Sequence, residues 1–164
     1  MTTRTAYLVH GYLGAGKTTF AKQLSERTGA VRYSPDELMV ARHGHDPPER
    51  DFARYLDAVY AEINAEWPRT LEGGRDVVLD FGFWTRAWRD MARARASAVG
   101  AKTKLFWIRC PEETARERCR LRNRAPGESL HIAENTFDVL KSRFEPLAPD
   151  EPFELVETGT SERE

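Results

Sequence analysis

Apolar residues recur along this chain in two alternating rhythms. Short runs are apolar at nearly every position: Ala6-Tyr7-Leu8-Val9, Val77-Val78-Leu79 and Leu105-Phe106-Trp107-Ile108. Such runs predict strands buried on both faces of a sheet. Between them, apolar positions are spaced three or four apart, most clearly at Phe52, Tyr55, Leu56, Val59, Tyr60 and Ile63 within 51–66, which predicts an amphipathic helix. The same reading gives helices over 17–27, from Ser34, over 85–99, 111–123 and 131–145, and strands over 30–33, 76–81, 104–109 and 153–156. Punctuation agrees with these bounds. Gly29 and Gly100 follow two of the helices, and Ser34-Pro35-Asp36-Glu37 has the form of a capping box with proline at the first helical position. Strand and helix alternating in this way predict an α/β fold, a doubly wound parallel sheet of five strands with helices on both faces.

With 164 residues and neither an internal repeat nor a linker-like segment, the chain reads as a single domain over 1–164, with 159–164 expected to fray. Composition narrows the partners. A net charge of −1 gives no global field to hold a polyanion, which weighs against tight, sequence-independent nucleic-acid binding without excluding a local basic patch. The sequence has no apolar run long enough to span a bilayer, and Met1-Thr2-Thr3-Arg4 leads straight into the first strand without a signal core. Two cysteines, Cys110 and Cys119, make no disulfide framework and suit a reducing compartment, so a cytoplasmic location is expected.

The chemistry concentrates after the first strand. Gly11-Tyr12-Leu13-Gly14-Ala15-Gly16-Lys17-Thr18-Thr19 fits the phosphate-binding pattern G-x-x-x-x-G-K-S/T, set between a strand and a helix as that loop requires. The backbone of Gly11, Gly14, Ala15, Gly16, Lys17, Thr18 and Thr19 is expected to cradle the phosphates of ATP, with Lys17 reaching the β- and γ-phosphates and Thr18 holding Mg²⁺. Asp80 ends the central strand on the same edge and is the expected partner of Thr18 around the metal. Asp36 lies just past the second strand on that edge. Its position suits a general base for an attacking hydroxyl, and equally an acid matched to a helix dipole.

The helix after the fourth strand carries Arg116, Arg118, Arg120, Arg122 and Arg124. One reading is a solvated helix paired with Glu112, Glu113 and Glu117. The favoured one is a lid over about 116–130, hinged at Pro126-Gly127, in which Arg120 and Arg124 close on ATP and stabilise the transferring phosphoryl group, Arg120 also holding nucleotide. Arg118 and Arg122 are expected to face outward. Phe83 and Trp84, after Gly82, would wall a flat or apolar substrate, with Arg86 beside them and Trp88 in the core. His43, His45 and Asp46 share a loop but fall short of a metal site. His10 is expected to buttress the phosphate loop and His131 to start a helix.

These motifs resemble the small P-loop kinases of the zeta-toxin, chloramphenicol-phosphotransferase and polynucleotide-kinase type, over about Ala6 to Leu155. The resemblance implies that Asp36, within Tyr33-Ser34-Pro35-Asp36-Glu37-Leu38, is the general base, that Asp80 is the metal-shell acid, and that Arg120 and Arg124 are lid arginines. Phage-type polynucleotide kinases carry an acceptor-holding arginine three residues after the base; here that residue is Met39. The sheet is expected in the order 2-3-1-4-5. The expected activity is transfer of the ATP γ-phosphate to a hydroxyl of a small molecule such as an antibiotic, nucleoside or sugar. A 5′-hydroxyl polynucleotide kinase is the enzymatic alternative, with Arg42, Arg86 and Arg89 lining a basic groove. A nucleotide-dependent regulatory switch is the alternative of another class.

Overall fold

The computed structural model describes residues 2–125 and 130–159. The expected Pro126-Gly127 hinge and the expected fraying of 160–164 lie outside the described residues. In chain order the elements are β1 (Thr5–His10), α1 (Lys17–Thr28), β2 (Val31–Tyr33), α2 (Pro35–His43), α3 (Glu49–Glu72), β3 (Val77–Gly82), α4 (Arg86–Ala98), β4 (Lys102–Arg109), α5 (Glu112–Arg124), α6 (Glu134–Lys141) and β5 (Glu154–Glu157). The five strands form one sheet in the order β2-β3-β1-β4-β5, the order expected, with every pairing parallel.

Side chains alternate across the sheet, so successive strand residues feed different layers. Ala6, Leu8, Val77, Leu79 and Leu105 pack with Val59, Ile63, Trp67 and Leu71 of α3 and Ala92 and Ala96 of α4. Val9, Val78, Phe106 and Ile108 turn the other way, onto Ala21 and Leu24 of α1. Strands buried on both faces carry apolar residues at successive positions, which is why the runs were unbroken in the sequence.

Two helices differ from expectation. The third runs on to Glu72 through Pro68, because the stripe Val59, Ile63, Trp67, Leu71 continues past the proline and is buried along its length. Burial of Trp67 and Leu71 outweighs the one backbone hydrogen bond that proline removes, a loss of about 3 kcal/mol. The sixth helix is shorter, starting at Glu134 rather than His131. His131 instead donates its backbone N–H to the His45 carbonyl at 3.0 Å, linking this stretch to the loop after α2.

The end of β3 makes a left-handed turn. Gly82 and Phe83 both have positive φ, 77° and 50°. A left-handed phenylalanine is strained by about 1 kcal/mol or more, so its neighbours must hold it. The Phe83 carbonyl accepts from His10 Nδ1 and from Arg89 Nη1, each at 2.9 Å. Arg89 is fully buried and also grips Glu151 through two bonds, at 2.8 and 3.0 Å. The segment after α6 is thereby strapped across the turn, and Glu145 N–H completes it by donating to the Trp84 carbonyl at 2.7 Å.

Candidate active site

The loop between β1 and α1 takes its shape from its glycines. Gly14 and Gly16 have φ of 74° and 99°, a region that side chains rarely enter. Space is as tight as the angles: a Cβ on Gly14 would lie 2.3 Å from the Ala115 carbonyl oxygen, and one on Gly11 would lie 2.4 Å from that of Ile108. Helix α1 starts at Gly16 with no side-chain cap, so its first N–H groups remain available to an anion. Lys17 Nζ donates to the Tyr12 carbonyl at 2.8 Å, and Thr18 Oγ1 donates to Asp80 Oδ2 at 2.9 Å. An uncapped helix start, a glycine-only cradle and a hydroxyl–carboxylate pair beside a lysine are the donor set that a nucleotide triphosphate and Mg²⁺ require.

Two carboxylates flank Lys17. Asp80 is buried, with Arg32 Nη1 at 4.0 Å. Burial pushes its carboxyl above the usual range, against the opposing pull of Lys17, the Thr18 hydrogen bond and Arg32. Asp36 makes no hydrogen bond or ion pair among the described residues; it is exposed and lines the cavity. Desolvation by the protein around the cavity and the nearby Asp80 push its carboxyl up too, with Lys17 opposing. Burial in turn lowers Lys17, which Asp80 and Asp36 partly offset. The capping residues beside Asp36 behave as the sequence suggested: Ser34 Oγ accepts from Glu37 N–H at 3.3 Å, leaving Asp36 unused by the cap.

All of these groups face one cavity of about 430 Å³, lined by Gly14, Gly16, Lys17, Thr18, Asp36 and Asp80. Gly11, Ala15 and Thr19 belong to the same loop and turn but are not on its wall. Opposite the phosphate loop the wall is aromatic and apolar. Helix α3 gives Phe52, Leu56 and Tyr60, β3 gives Phe81, and Trp84 and Trp88 follow.

Here the structure corrects several expectations. Phe83 is not a wall residue. The left-handed turn directs it into the core at 1% exposure, where it stacks on Phe81 with ring centres 5.2 Å apart. Trp84 does line the cavity, fixed by Nε1 donating to the Gly11 carbonyl at 3.2 Å. Trp88, expected in the core, is 38% exposed and lines the cavity as well. Arg86 is not at the site: it is bound to Asp90 and Asp150 on the surface, because the strap from α6 brings acids to it. Tyr60, Phe52 and Leu56 were missed as site residues, although their fourfold spacing marked one helix face.

The arginine helix is rotated from the expected orientation. Ala115 and Cys119 are its buried residues, and they set the inward face. Arg118 and Arg122 flank that face instead of pointing out. Arg118 Nη1 donates to the Gly14 carbonyl at 3.0 Å and to Thr158 Oγ1 at 3.1 Å, while Arg122 lines the cavity. Arg120 and Arg124 are exposed, Arg120 lying 3.3 Å from Glu117. Arg116 pairs with Glu112 at 2.9 Å and with Asp138. The small buried residues, not the arginine spacing, give the rotation.

The strand order, the loop between β1 and α1 and the acid at the end of β3 define an α/β fold of the P-loop kinase type. Residues 7–147 match the AAA domain family, and the chain belongs to it. The fold is shared with a proposed kinase from Chloroflexus aurantiacus, at 17% identity over 99% of this chain and 92% of that one, TM-score 0.79. It is shared with Kti12 from Chaetomium thermophilum, solved with ADP-AlF3, at 21% identity over 96% and 91% of the two chains, TM-score 0.71. It is also shared with the APS kinase CysC of Mycobacterium tuberculosis, solved with AMPPNP and APS, at 17% identity over 97% and 90%, TM-score 0.61. No curated protein matches the sequence. Among the described residues no helix is long and apolar enough to cross a membrane, and no three or more His, Cys, Asp or Glu side chains are grouped so as to hold a metal ion.

Proposed function

We propose that the protein is an ATP-dependent phosphotransferase that moves the γ-phosphoryl group to a hydroxyl of a small molecule. The observation that carries this reading is the placement of Asp36. An unpartnered carboxylate faces the same cavity as Lys17 and the Thr18–Asp80 pair, with an apolar wall opposite. A carboxyl raised above its ordinary range is better matched to taking a proton from an alcohol than an ordinary surface aspartate.

In this reading the loop amides and Lys17 bind and orient the triphosphate, and Thr18 and Asp80 hold Mg²⁺, which neutralises phosphate charge when bound. The acceptor oxygen forms its bond to the γ-phosphorus as the bond from that phosphorus to the β–γ bridging oxygen breaks. The hydroxyl proton passes to Asp36, and ADP leaves. Arg122 takes the part first expected of Arg120 and Arg124, because it is the α5 arginine on the cavity wall. The polynucleotide alternative loses its basic groove. Arg89 is buried against Glu151, Arg86 is held by Asp150, and Arg42 pairs with Glu62.

The test is transfer of label from γ-labelled ATP into hydroxylated antibiotics, nucleosides and sugars, with Asp36→Asn as control. Label lost in Asp36→Asn with ATP affinity kept supports the kinase. Unchanged ATP turnover and partner binding in that variant would mean a switch that does not use Asp36 as a base.

A further inference from the structure

We propose that the acceptor is an apolar, ring-bearing alcohol without negative charge, seated between α3, the end of β3 and the start of α4. This rests on the transferase reading and names its substrate class. The wall is a set of rings fixed against one another. Tyr60 meets Phe81 edge-on at 5.5 Å and Trp88 at 5.4 Å, and Trp84 is 5.5 Å from Tyr12 while anchored to Gly11. Phe52, Leu56 and Tyr60 stand one turn apart on α3, so the stripe runs along the cavity. Trp88 leaves 38% of its surface exposed and lines the cavity. A tryptophan open to a cavity gains from a ring placed against it.

Charge placement fixes the rest of the class. Among the described residues, the cations on the cavity wall are Lys17, Lys22 and Arg122, all from α1 and α5. None comes from α3, β3 or α4, and the carboxylates on the same wall are those of Asp36, Glu37 and Asp80. Glu37 is itself bound by Arg32 at 2.7 Å. An acceptor bearing carboxylate or phosphate would place its negative charge where α3, β3 and α4 offer no cation, on a wall shared with the unpaired carboxylate of Asp36, which is unfavourable. Met39 is fully buried in the core and offers such an anion nothing. A cavity of about 430 Å³, shared with the transferring phosphate, is in the size range for small ligands and admits one or two rings.

The experiment compares label transfer from γ-labelled ATP to phenylethanol, cinnamyl alcohol and naphthylmethanol with transfer to the para-carboxylate analogue of phenylethanol, gluconate and a 5′-hydroxyl oligonucleotide. Calorimetric titration of the same alcohols into the full-length protein with a non-hydrolysable ATP analogue runs alongside. The expected result is kcat/KM at least about tenfold higher for a neutral ring alcohol than for its carboxylate analogue. Trp88→Ala should cost about tenfold in that affinity, and Trp88→Phe should restore most of it. Preferred labelling of the carboxylate analogue, gluconate or the oligonucleotide overturns the class while the transferase stands. Saturable binding of a neutral ring alcohol that Trp88→Ala weakens, with no label transferred to any acceptor, keeps the class and removes the transferase. Neither binding nor labelling of any ring alcohol overturns the proposal.

Discussion

Replacing Arg89 by methionine tests whether the strap across the Phe83 turn holds the site in shape. The arginine has no exposed surface and makes five hydrogen bonds: two to Glu151, and one each to the carbonyls of Phe83, Glu145 and Pro146. Methionine fills much of the volume and supplies none of these. Glu151, whose side chain is 1% exposed, would retain Arg93 at 2.9 Å, the Ala148 N–H at 2.8 Å and Arg86 at 3.7 Å. Breaking a buried pair by removing one partner costs about 3–5 kcal/mol, and the surviving partners of Glu151 place this case toward the low end. The Glu145 and Pro146 carbonyls lose a donor while Phe83 keeps His10, which adds about 1 kcal/mol. The expected loss is about 4 kcal/mol, a large part of an ordinary domain's stability. Urea denaturation followed by tryptophan fluorescence measures it. The pair Arg89→Met with Glu151→Leu should recover about 2 kcal/mol against the sum of the single changes, because no unpaired charge is then buried. A single-variant loss below about 1 kcal/mol, or strict additivity in the cycle, would refute the strap as the element that holds the turn.

Other outcomes follow from the same geometry. Arg122→Ala should lower kcat about 10²- to 10³-fold, whereas Arg120→Ala and Arg124→Ala should stay within a few fold; steady-state transfer rates separate the two sets. Thr18→Val removes the hydroxyl that meets Asp80, and should raise the Mg²⁺ concentration needed for half-maximal transfer about tenfold or more while leaving the fold intact in a thermal scan. His10 has its own pH signature. Burial, with Arg89 and Lys17 adding, lowers it from 6.5 to about 4 against the Phe83 hydrogen bond, so the unfolded chain binds its proton first. Its contribution to stability is therefore complete above pH 6.5 and falls as the pH drops toward 4, by about 3 kcal/mol in all. His10→Asn keeps a donor for Phe83 without titrating, and denaturation between pH 7 and 4 should show a flatter slope; an unchanged slope would mean that His10 is not the group responsible.

The strands and the phosphate loop were legible because each rests on local signals: unbroken apolar runs, glycines where φ is positive, and a lysine and threonine at fixed offsets. The strand order was expected alongside the family resemblance. Asp80 and Asp36 were legible from their place at strand ends. What failed needed tertiary information or a different periodicity. Nothing near Arg86 and Arg89 announces acids from residues 150 and 151, some sixty positions later, so both read as free cations. Phe83 read as a wall residue because two consecutive left-handed residues invert the alternation that a strand end would otherwise continue. The arginine helix was legible but read by the wrong marker. Charged residues tolerate many rotations about a helix axis, whereas Ala115 and Cys119 had to be inside, and they place Arg118 and Arg122 toward the loop and cavity.

The two aspartates show how one cavity can divide its labour. Asp80 is buried and Asp36 opens to the cavity, yet both are raised by desolvation and both sense Lys17, so neither effect distinguishes them. Their hydrogen bonds do. Asp80 accepts from Thr18 and faces Arg32, contacts that favour the charged form and fix its direction, which suits a ligand that must stay ionised beside a cation. Asp36 has no such contact among the described residues, so no donor competes with an incoming hydroxyl for its oxygens. Its surroundings across the cavity are rings rather than water-binding groups, and a seated apolar acceptor would displace the water that otherwise solvates the carboxylate. That displacement raises the proton affinity of Asp36 when the acceptor is in place and leaves it lower when the site is open to solvent. Under the proposed function the aromatic wall would thus have a second consequence beyond choosing the acceptor: it would couple acceptor binding to the basicity of Asp36 and favour transfer to the alcohol over transfer to water.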